Sequence, residues 1–356
     1  MHRTTVTQSR RALAVVGAAA LLALAGCAAP APAPGGTEGA EEAGPLKQIL
    51  ARTGFGTSPY DEAQFIAIEK GYFAEEGLEV TIAEGNGSGA VMQLMGGSGD
   101  TDIGLNIDAA TAAAQISQGV PAKIAELGTT IPPFGTICYE SANVTSAHDL
   151  KGRTAIVVPS ESTAVVLPSF LALHGLTEDD VTLVGADFSN KSALFLAGNA
   201  DCMLGYTDSE LVQAQMNAPD QLADPMSWAD DGFELLGDST VVSAELAEDP
   251  DTVAAFLRAL HRGVQDLCSD PQAGADSYNA RYASTLSEID KEYTIIGIEA
   301  TCAALTYGGA APYAGVSDEQ WDAAMALLDD AGLMQQVLPR SDYFMSGLPE
   351  LPAVSW

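Results

Sequence analysis

The chain has 356 residues, 47% of them apolar and 18% charged, which excludes an intrinsically disordered protein and leaves room for two domains or one large α/β unit. Its 48 acidic and 15 basic residues give a net charge of −33, which opposes binding to nucleic acid or to anionic lipid headgroups.

In chain order, Arg3, Arg10 and Arg11 form a positive start and Ala12 to Ala25 an apolar run too short to span a bilayer comfortably. The run ends in Leu24-Ala25-Gly26-Cys27. Small residues before a cysteine at this place resemble a bacterial lipobox, which implies a signal peptide over 1–26 and a lipid on Cys27. Ser9-Arg10-Arg11 with Leu13 partly resembles a twin-arginine signal, so the export route stays open. Residues 27–45 hold the lipidated cysteine and an Ala-, Pro-, Gly- and Glu-rich stretch that cannot pack a core and reads as a flexible tether.

The body alternates strand and helix. Strands are expected at 46–53, 78–82, 102–105 and 121–127, and helices at 59–73, from Ser88 through Leu94, and at 109–117 behind Asp108 as cap. After Gly152 the alternation restarts, with strands at 154–158, 181–184 and 201–204 and helices opening at Ser160, Ser189 and Asp208. This order predicts two parallel, doubly wound sheets covered on both faces. Segments 134–139 and 239–243 read as crossings between two lobes. The boundaries expected are 46–133 plus 244–356 for lobe one and 134–243 for lobe two. The C-terminal third reads as helical and is expected to pack on lobe one, with Val253, Phe256, Leu257, Leu260, Val264 and Leu267 as one apolar stripe between Pro250 and Pro271. Four cysteines follow the tether and allow three pairings, among which sequence does not choose. Cys138–Cys202 with Cys268–Cys302 is the pairing that keeps each bond within one lobe; no C-x-x-C spacing favours zinc.

Several segments carry a family pattern. Ala67-Ile68-Glu69-Lys70-Gly71-Tyr72-Phe73 followed by Glu76-Gly77-Leu78-Glu79-Val80 resembles a signature of certain type II periplasmic binding proteins. Ser88-Gly89-Ala90, Gly99-Asp100-Thr101-Asp102-Ile103-Gly104, Asp149-Leu150-Lys151-Gly152-Arg153 and Phe195-Leu196-Ala197-Gly198-Asn199-Ala200-Asp201 resemble further family segments in the same order, over roughly 50–330. The family comprises the binding proteins of ABC importers for nitrate, taurine, alkanesulfonates and thiamine pyrimidine precursors. The resemblance implies a two-lobed α/β clamp of the type II periplasmic-binding-protein fold, two sheets joined by two crossover segments, which closes on a small molecule and presents it to an ABC permease and its ATPase. The protein is then expected to be exported, monomeric and held to the outer face of the cytoplasmic membrane by its lipid alone.

Ligands of open α/β sheets lie beyond the carboxyl ends of the strands. The loops expected there are 54–60, 84–89, 105–108, 159–163 and 206–209. They nominate Phe55, Ser58, Tyr60, Asn86, Gly87, Ser88, Asn106, Asp108, Ser160, Ser162, Thr163, Tyr206 and Asp208 as ligand contacts. The same loops contain Glu84, Asp108, Glu161 and Asp208 but no Lys or Arg; Arg52, Arg153 and Lys191 lie outside them. That disfavours an anion and favours an aminopyrimidine or similar nitrogen heterocycle, with Phe55, Tyr60 and Tyr206 to flank a flat ring. Sulfonate, taurine or nitrate is the alternative on the same fold, bound at helix N-termini. Asp108, Ser162 and Asp208 also read as plain helix caps, and Phe55 and Tyr60 as core.

No cofactor or metal is expected. His148, His174 and His261 are scattered, Gly96-Gly97-Ser98-Gly99-Asp100 misses the hydrolase pattern at its last position, and no P-loop occurs. Yeast-type pyrimidine synthases share the fold and carry a cysteine-rich iron motif, whereas the comparable region here offers only Cys138. The expectation is a binding protein and not an enzyme, with a synthase-like enzyme or a sensor domain as the competing classes.

Overall fold

The computed structural model describes residues 45–356 except Thr57, Ser98, Thr130, Ser160, Asp208, Pro219, Glu234, Thr285, Ser287, Tyr307 and Gly308, with backbone alone at 288–290. The expected signal peptide, Cys27 and nearly all of the tether lie outside the described residues.

Strands β1 (Lys47–Thr53), β2 (Leu78–Ala83), β3 (Ile103–Asp108) and β4 (Ala122–Leu127) open the chain. Strands β5 (Phe134–Cys138), β6 (Thr154–Val157), β7 (Thr182–Gly185), β8 (Cys202–Tyr206) and β9 (Met226–Ser227) follow, and β10 (Asp238–Ser243) returns to the first group. The result is two five-stranded sheets, ordered β2-β1-β3-β10-β4 and β7-β6-β8-β5-β9. β1 runs parallel to β2 and β3, as β6 does to β7 and β8. β10 is antiparallel to β3 and β4, and β5 to β8.

Both sheets are therefore mixed, which corrects the parallel sheets expected. The two crossing segments are strands themselves. All of β5 and residues 239–242 of β10 are buried, and a buried backbone has to find hydrogen-bond partners, which a sheet supplies.

Helices fill the connections: α1 (Glu62–Glu69), α2 (Tyr72–Glu75), α3 (Ser88–Gly97), α4 (Ala109–Ser117), α5 (Ser162–Leu173), α6 (Lys191–Leu196), α7 (Glu210–Asn217), α8 (Pro250–Ser269), α9 (Pro271–Arg281), α10 (Glu288–Leu305), α11 (Asp318–Asp330) and α12 (Arg340–Tyr343). The single helix expected over 59–73 is broken. Pro59–Asp61 is a 3-10 turn, and Gly71 at φ 75° interrupts the run before α2 in a conformation that only glycine adopts without strain. The α8 stripe is fully buried against α1 and the first sheet, and Asp249 caps the helix by accepting from the Thr252 N–H at 3.1 Å. The C-terminal helices do not pack on the first sheet's layer alone. α11 touches both α4 and α5 through Trp321, Ala324, Met325 and Leu328, and α10 reaches α7.

Two disulfides tie these layers. Cys138–Cys202 joins directly paired residues of β5 and β8, and Cys268–Cys302 joins α8 to α10. Closing such loops contributes on the order of 2–4 kcal/mol each.

Candidate functional site

Between the carboxyl ends of the two sheets lies a cavity of about 250 Å³. That is just below the roughly 300–1,000 Å³ usual for small-molecule sites, and suits a single small ring better than a large cofactor. One wall comes from the loop after β1 (Gly54, Phe55, Ser58, Pro59, Tyr60, Asp61), from Ser88, from the end of β3 (Asn106, Asp108) and from Asp238 at the start of β10. The other comes from Pro133, Glu161, Phe188, Tyr206, Ser209 and Glu210. Tyr293, Gly297 and Thr301, one turn apart along α10, complete it.

Local structure explains the placement. Gly54 passes so close to β3 that an added Cβ would lie 2.5 Å from the Asn106 carbonyl oxygen, and only glycine lets the Phe55 loop leave the sheet there. The pairing of β3 with β10 is irregular between Ser239 and Val241, and Asn106 in the facing stretch of β3 stands at φ 53°. A bulge of this kind re-aims a side chain. The Asn106 amide donates to Asp61 Oδ1 at 2.8 Å.

Asp108 is the most exposed of these groups to chemical argument, though only 5% exposed to solvent. Its Oδ1 accepts from the Thr111 N–H at 2.7 Å and caps α4, and its own N–H donates to Ser88 Oγ at 3.1 Å. Its Oδ2 is buried and has no hydrogen-bond partner among the described residues. Such an atom pays a desolvation cost of about 1–3 kcal/mol until a donor reaches it. Burial, with Asp238 nearby, pushes the Asp108 carboxyl up to about 7.

The other carboxylates differ in their partners. Asp61 accepts from the Ser58 N–H at 3.0 Å, from Ser58 Oγ at 3.2 Å and from the Asn106 and Gln64 amides, yet burial raises it to about 6. Asp238 accepts from the Tyr60 hydroxyl and is also raised by burial. On the facing wall Glu161 and Glu210 share Lys191, whose Nζ lies 2.6 Å from Glu161 Oε2 and 2.8 Å from Glu210 Oε2 and is fully buried. Burial first, and then Glu210, raise Glu161 to about 7 against the pull of Lys191. Gly205 on β8 makes this pair possible, since a Cβ there would fall 2.1 Å from Glu210 Oε2. Burial and the four carboxylates Glu161, Asp108, Asp238 and Glu210 keep Tyr206 a phenol, and therefore a donor. Phe55 and Phe188 meet edge to face across the cavity at 5.1 Å.

Of the residues nominated from sequence, Phe55, Ser58, Tyr60, Ser88, Asn106, Asp108 and Tyr206 line the cavity together. Asn86, Gly87, Ser162 and Thr163 do not. Asn86 faces solvent, and the Gly87 N–H is used by the Gly54 carbonyl at 2.8 Å. Ser162 Oγ faces Thr111 Oγ1 at 3.5 Å, and Thr163 donates to Glu161 Oε2 from behind the wall at 3.0 Å. Ser160 and Asp208 lie outside the described residues. Asp61, Glu161, Phe188, Ser209, Glu210, Asp238, Tyr293 and Thr301 were not nominated. No Lys or Arg lines the cavity among the described residues.

Residues 59–274 match the family described as NMT1/THI5 like. This chain belongs to that family. Among curated relatives, a 4-amino-5-hydroxymethyl-2-methylpyrimidine phosphate synthase from Aspergillus parasiticus is 27% identical over 65% of this chain and 70% of its own length. The riboflavin-binding protein RibY from Chloroflexus aurantiacus is 28% identical over 72% of this chain and 74% of its own. The NMT1/THI5 like chain also shares its fold with the periplasmic aliphatic sulphonate binding protein SsuA from Escherichia coli, at a TM-score of 0.65 and 13% identity, over 85% of this chain and 98% of that one.

These relatives correct the expectation that the chain is not an enzyme. Several carry the name of a synthase, at 27–29% identity. The expectation had rested on missing hydrolase, P-loop and iron-binding patterns. Those patterns test for other chemistries, and one scaffold serves both binding and reaction.

Proposed function

We propose that this chain is the substrate-binding protein of an ABC importer, exported, lipid-anchored through Cys27 and monomeric, and that its cavity takes a small nitrogen heterocycle rich in N–H donors, of the aminopyrimidine kind. The observation that carries the ligand class is Asp108 Oδ2, a buried oxygen of a cavity-lining residue with no hydrogen-bond partner among the described residues. An amino group on a flat ring supplies the donor it lacks. Asp61 and Asp238 line the same cavity without a cationic partner among the described residues and oppose a sulfonate or nitrate, while Phe55, Phe188, Tyr60, Tyr206 and Tyr293 supply aromatic surface.

The names of the synthase relatives support a second reading, in which the cavity performs chemistry on such a pyrimidine. A carboxyl near 7 at Asp108 is suited to move a proton at neutral pH.

Mass spectrometry of the small molecules released from the full chain on denaturation separates the readings. The importer reading expects a nitrogen heterocycle that returns unchanged after prolonged incubation with fresh protein. A converted product selects the synthase reading. Release of a sulfonate or nitrate overturns the ligand class in both.

A further inference from the structure

Part of the cavity wall comes from α10, and α10 lies beyond residues 59–274, which carry the family match. Family membership therefore says nothing of what this wall does. Tyr293, Gly297 and Thr301 recur at a spacing of four and share one face of the helix. Thr301 is buried and donates its hydroxyl proton to the Gly297 carbonyl at 2.8 Å.

Glycine at the middle position needs a reason. Inside a helix it is disfavoured relative to alanine, because it loses more backbone freedom on folding. Two common reasons for a helical glycine fail at 297. Its φ is not positive, so no left-handed conformation excludes a side chain. Its surroundings are not overcrowded either. A Cβ built there would lie 3.6 Å from Tyr293 Cζ and 3.8 Å from Pro59 Cβ, which are ordinary van der Waals distances. Gly263 shows the contrast. A Cβ on it would fall 2.2 Å from the Ala63 carbonyl oxygen, so glycine is what lets α8 lie against α1 there. At 297 a methyl group has room. The space it would fill belongs to the cavity, because Pro59 and Tyr293, the two residues it would touch, both line it.

We propose, on the aminopyrimidine reading, that Gly297 is a specificity-determining residue: it leaves a methyl-sized notch between Pro59 and Tyr293 that receives a carbon-bound substituent of the ring. A proline ring, an aromatic ring and helix backbone bound the notch, and the Gly297 carbonyl is already engaged by Thr301. Such walls suit a small apolar group, and methyl is the size match.

The test is titration calorimetry of the full chain and of Gly297→Ala with 4-aminopyrimidine and its 2-, 5- and 6-methyl derivatives, which place a methyl on each ring carbon in turn. The parent is expected to bind one of the methyl isomers at least as tightly as 4-aminopyrimidine. In Gly297→Ala the alanine methyl fills the notch, and the affinity for that isomer is expected to fall roughly tenfold or more relative to 4-aminopyrimidine. The variant is expected to melt no lower than the parent, since alanine favours the helix. If the parent binds none of the four compounds, the aminopyrimidine reading fails and this inference falls with it. If the parent binds 4-aminopyrimidine but Gly297→Ala discriminates against no isomer, or weakens all four alike, the inference alone fails. A Gly297→Ala chain that melts well below the parent also overturns it, because glycine would then serve packing and not the ligand.

Discussion

On the wall built from β3, β10 and the loop after β1, the donors to Asp61, Asp108 and Asp238 among the described residues are neutral: Ser58, Asn106, Gln64, Thr111 and Tyr60. On the facing wall, Glu161 and Glu210 close on the ammonium of Lys191. The two walls are similarly acidic in composition and opposite in state. The second carries its own cation, a buried ion cluster built around Lys191. The first keeps one acceptor open. The difference assigns ligand reading to the first wall and shape to the second.

That division has consequences of decreasing size. Lys191→Met removes the ammonium and leaves two carboxylates without their cation. Breaking a buried pair in this way costs about 3–5 kcal/mol, so the melting temperature is expected to fall by roughly 5–15 °C in a calorimetric scan. A fall of a degree or less would mean that the second wall is not held by this cluster. Asp108→Asn acts the other way round. It keeps the cap on α4 but replaces the open acceptor with an amide group. Ligand affinity is expected to drop about 10- to 150-fold, the equivalent of about 1.5–3 kcal/mol, while the unliganded protein melts no lower than the parent.

The pH response of the unliganded protein is smaller and sharpens the same contrast. Asp61, Asp108 and Glu161 titrate near 6, 7 and 7 in the folded chain, above their ordinary values. Between about pH 4 and pH 7 the folded state therefore binds more protons than the unfolded one, and stability falls as pH rises through that window. Acidifying from about pH 8 to about pH 5 is expected to raise the melting temperature by a few degrees, and Asp108→Asn to flatten the slope. A melting temperature that rises with pH over this range would contradict the buried-carboxyl account. Smallest is Phe188→Ala, which removes the edge-to-face partner of Phe55. An aromatic pair contributes about 0.5–1.5 kcal/mol beyond its area, so a loss of roughly 2- to 10-fold in ligand affinity is expected by titration calorimetry.

Much of the frame was legible in the residues. Leu78-Glu79-Val80-Thr81-Ile82 alternates as a strand does, the α8 stripe repeats at helical spacing, and Asp108 stands where a cap for an alanine-rich helix belongs. What escaped depended on partners distant in sequence. Segments 134–139 and 239–243 read as extended crossings, and nothing in them said that each would join a sheet as a strand antiparallel to its neighbours. Lys191 looked like a residue outside the cleft because its carboxylates lie 30 and 19 positions away and meet it only in the folded chain. Asp61 was not singled out within the helix expected over 59–73, and Asp238 fell one position before the crossing segment expected at 239–243. Tyr293, Gly297 and Thr301 share one face of α10, a signal present in their spacing, but spacing alone does not say what that face meets.

The most direct test of the central claim is titration calorimetry of the full chain with 4-aminopyrimidine, unsubstituted pyrimidine and ethanesulfonate, repeated on Asp108→Asn. The account predicts that 4-aminopyrimidine binds, that pyrimidine binds more weakly for want of the amino donor, and that Asp108→Asn removes the difference between them. Binding of ethanesulfonate, or an undiminished preference for the amino compound in Asp108→Asn, would contradict it.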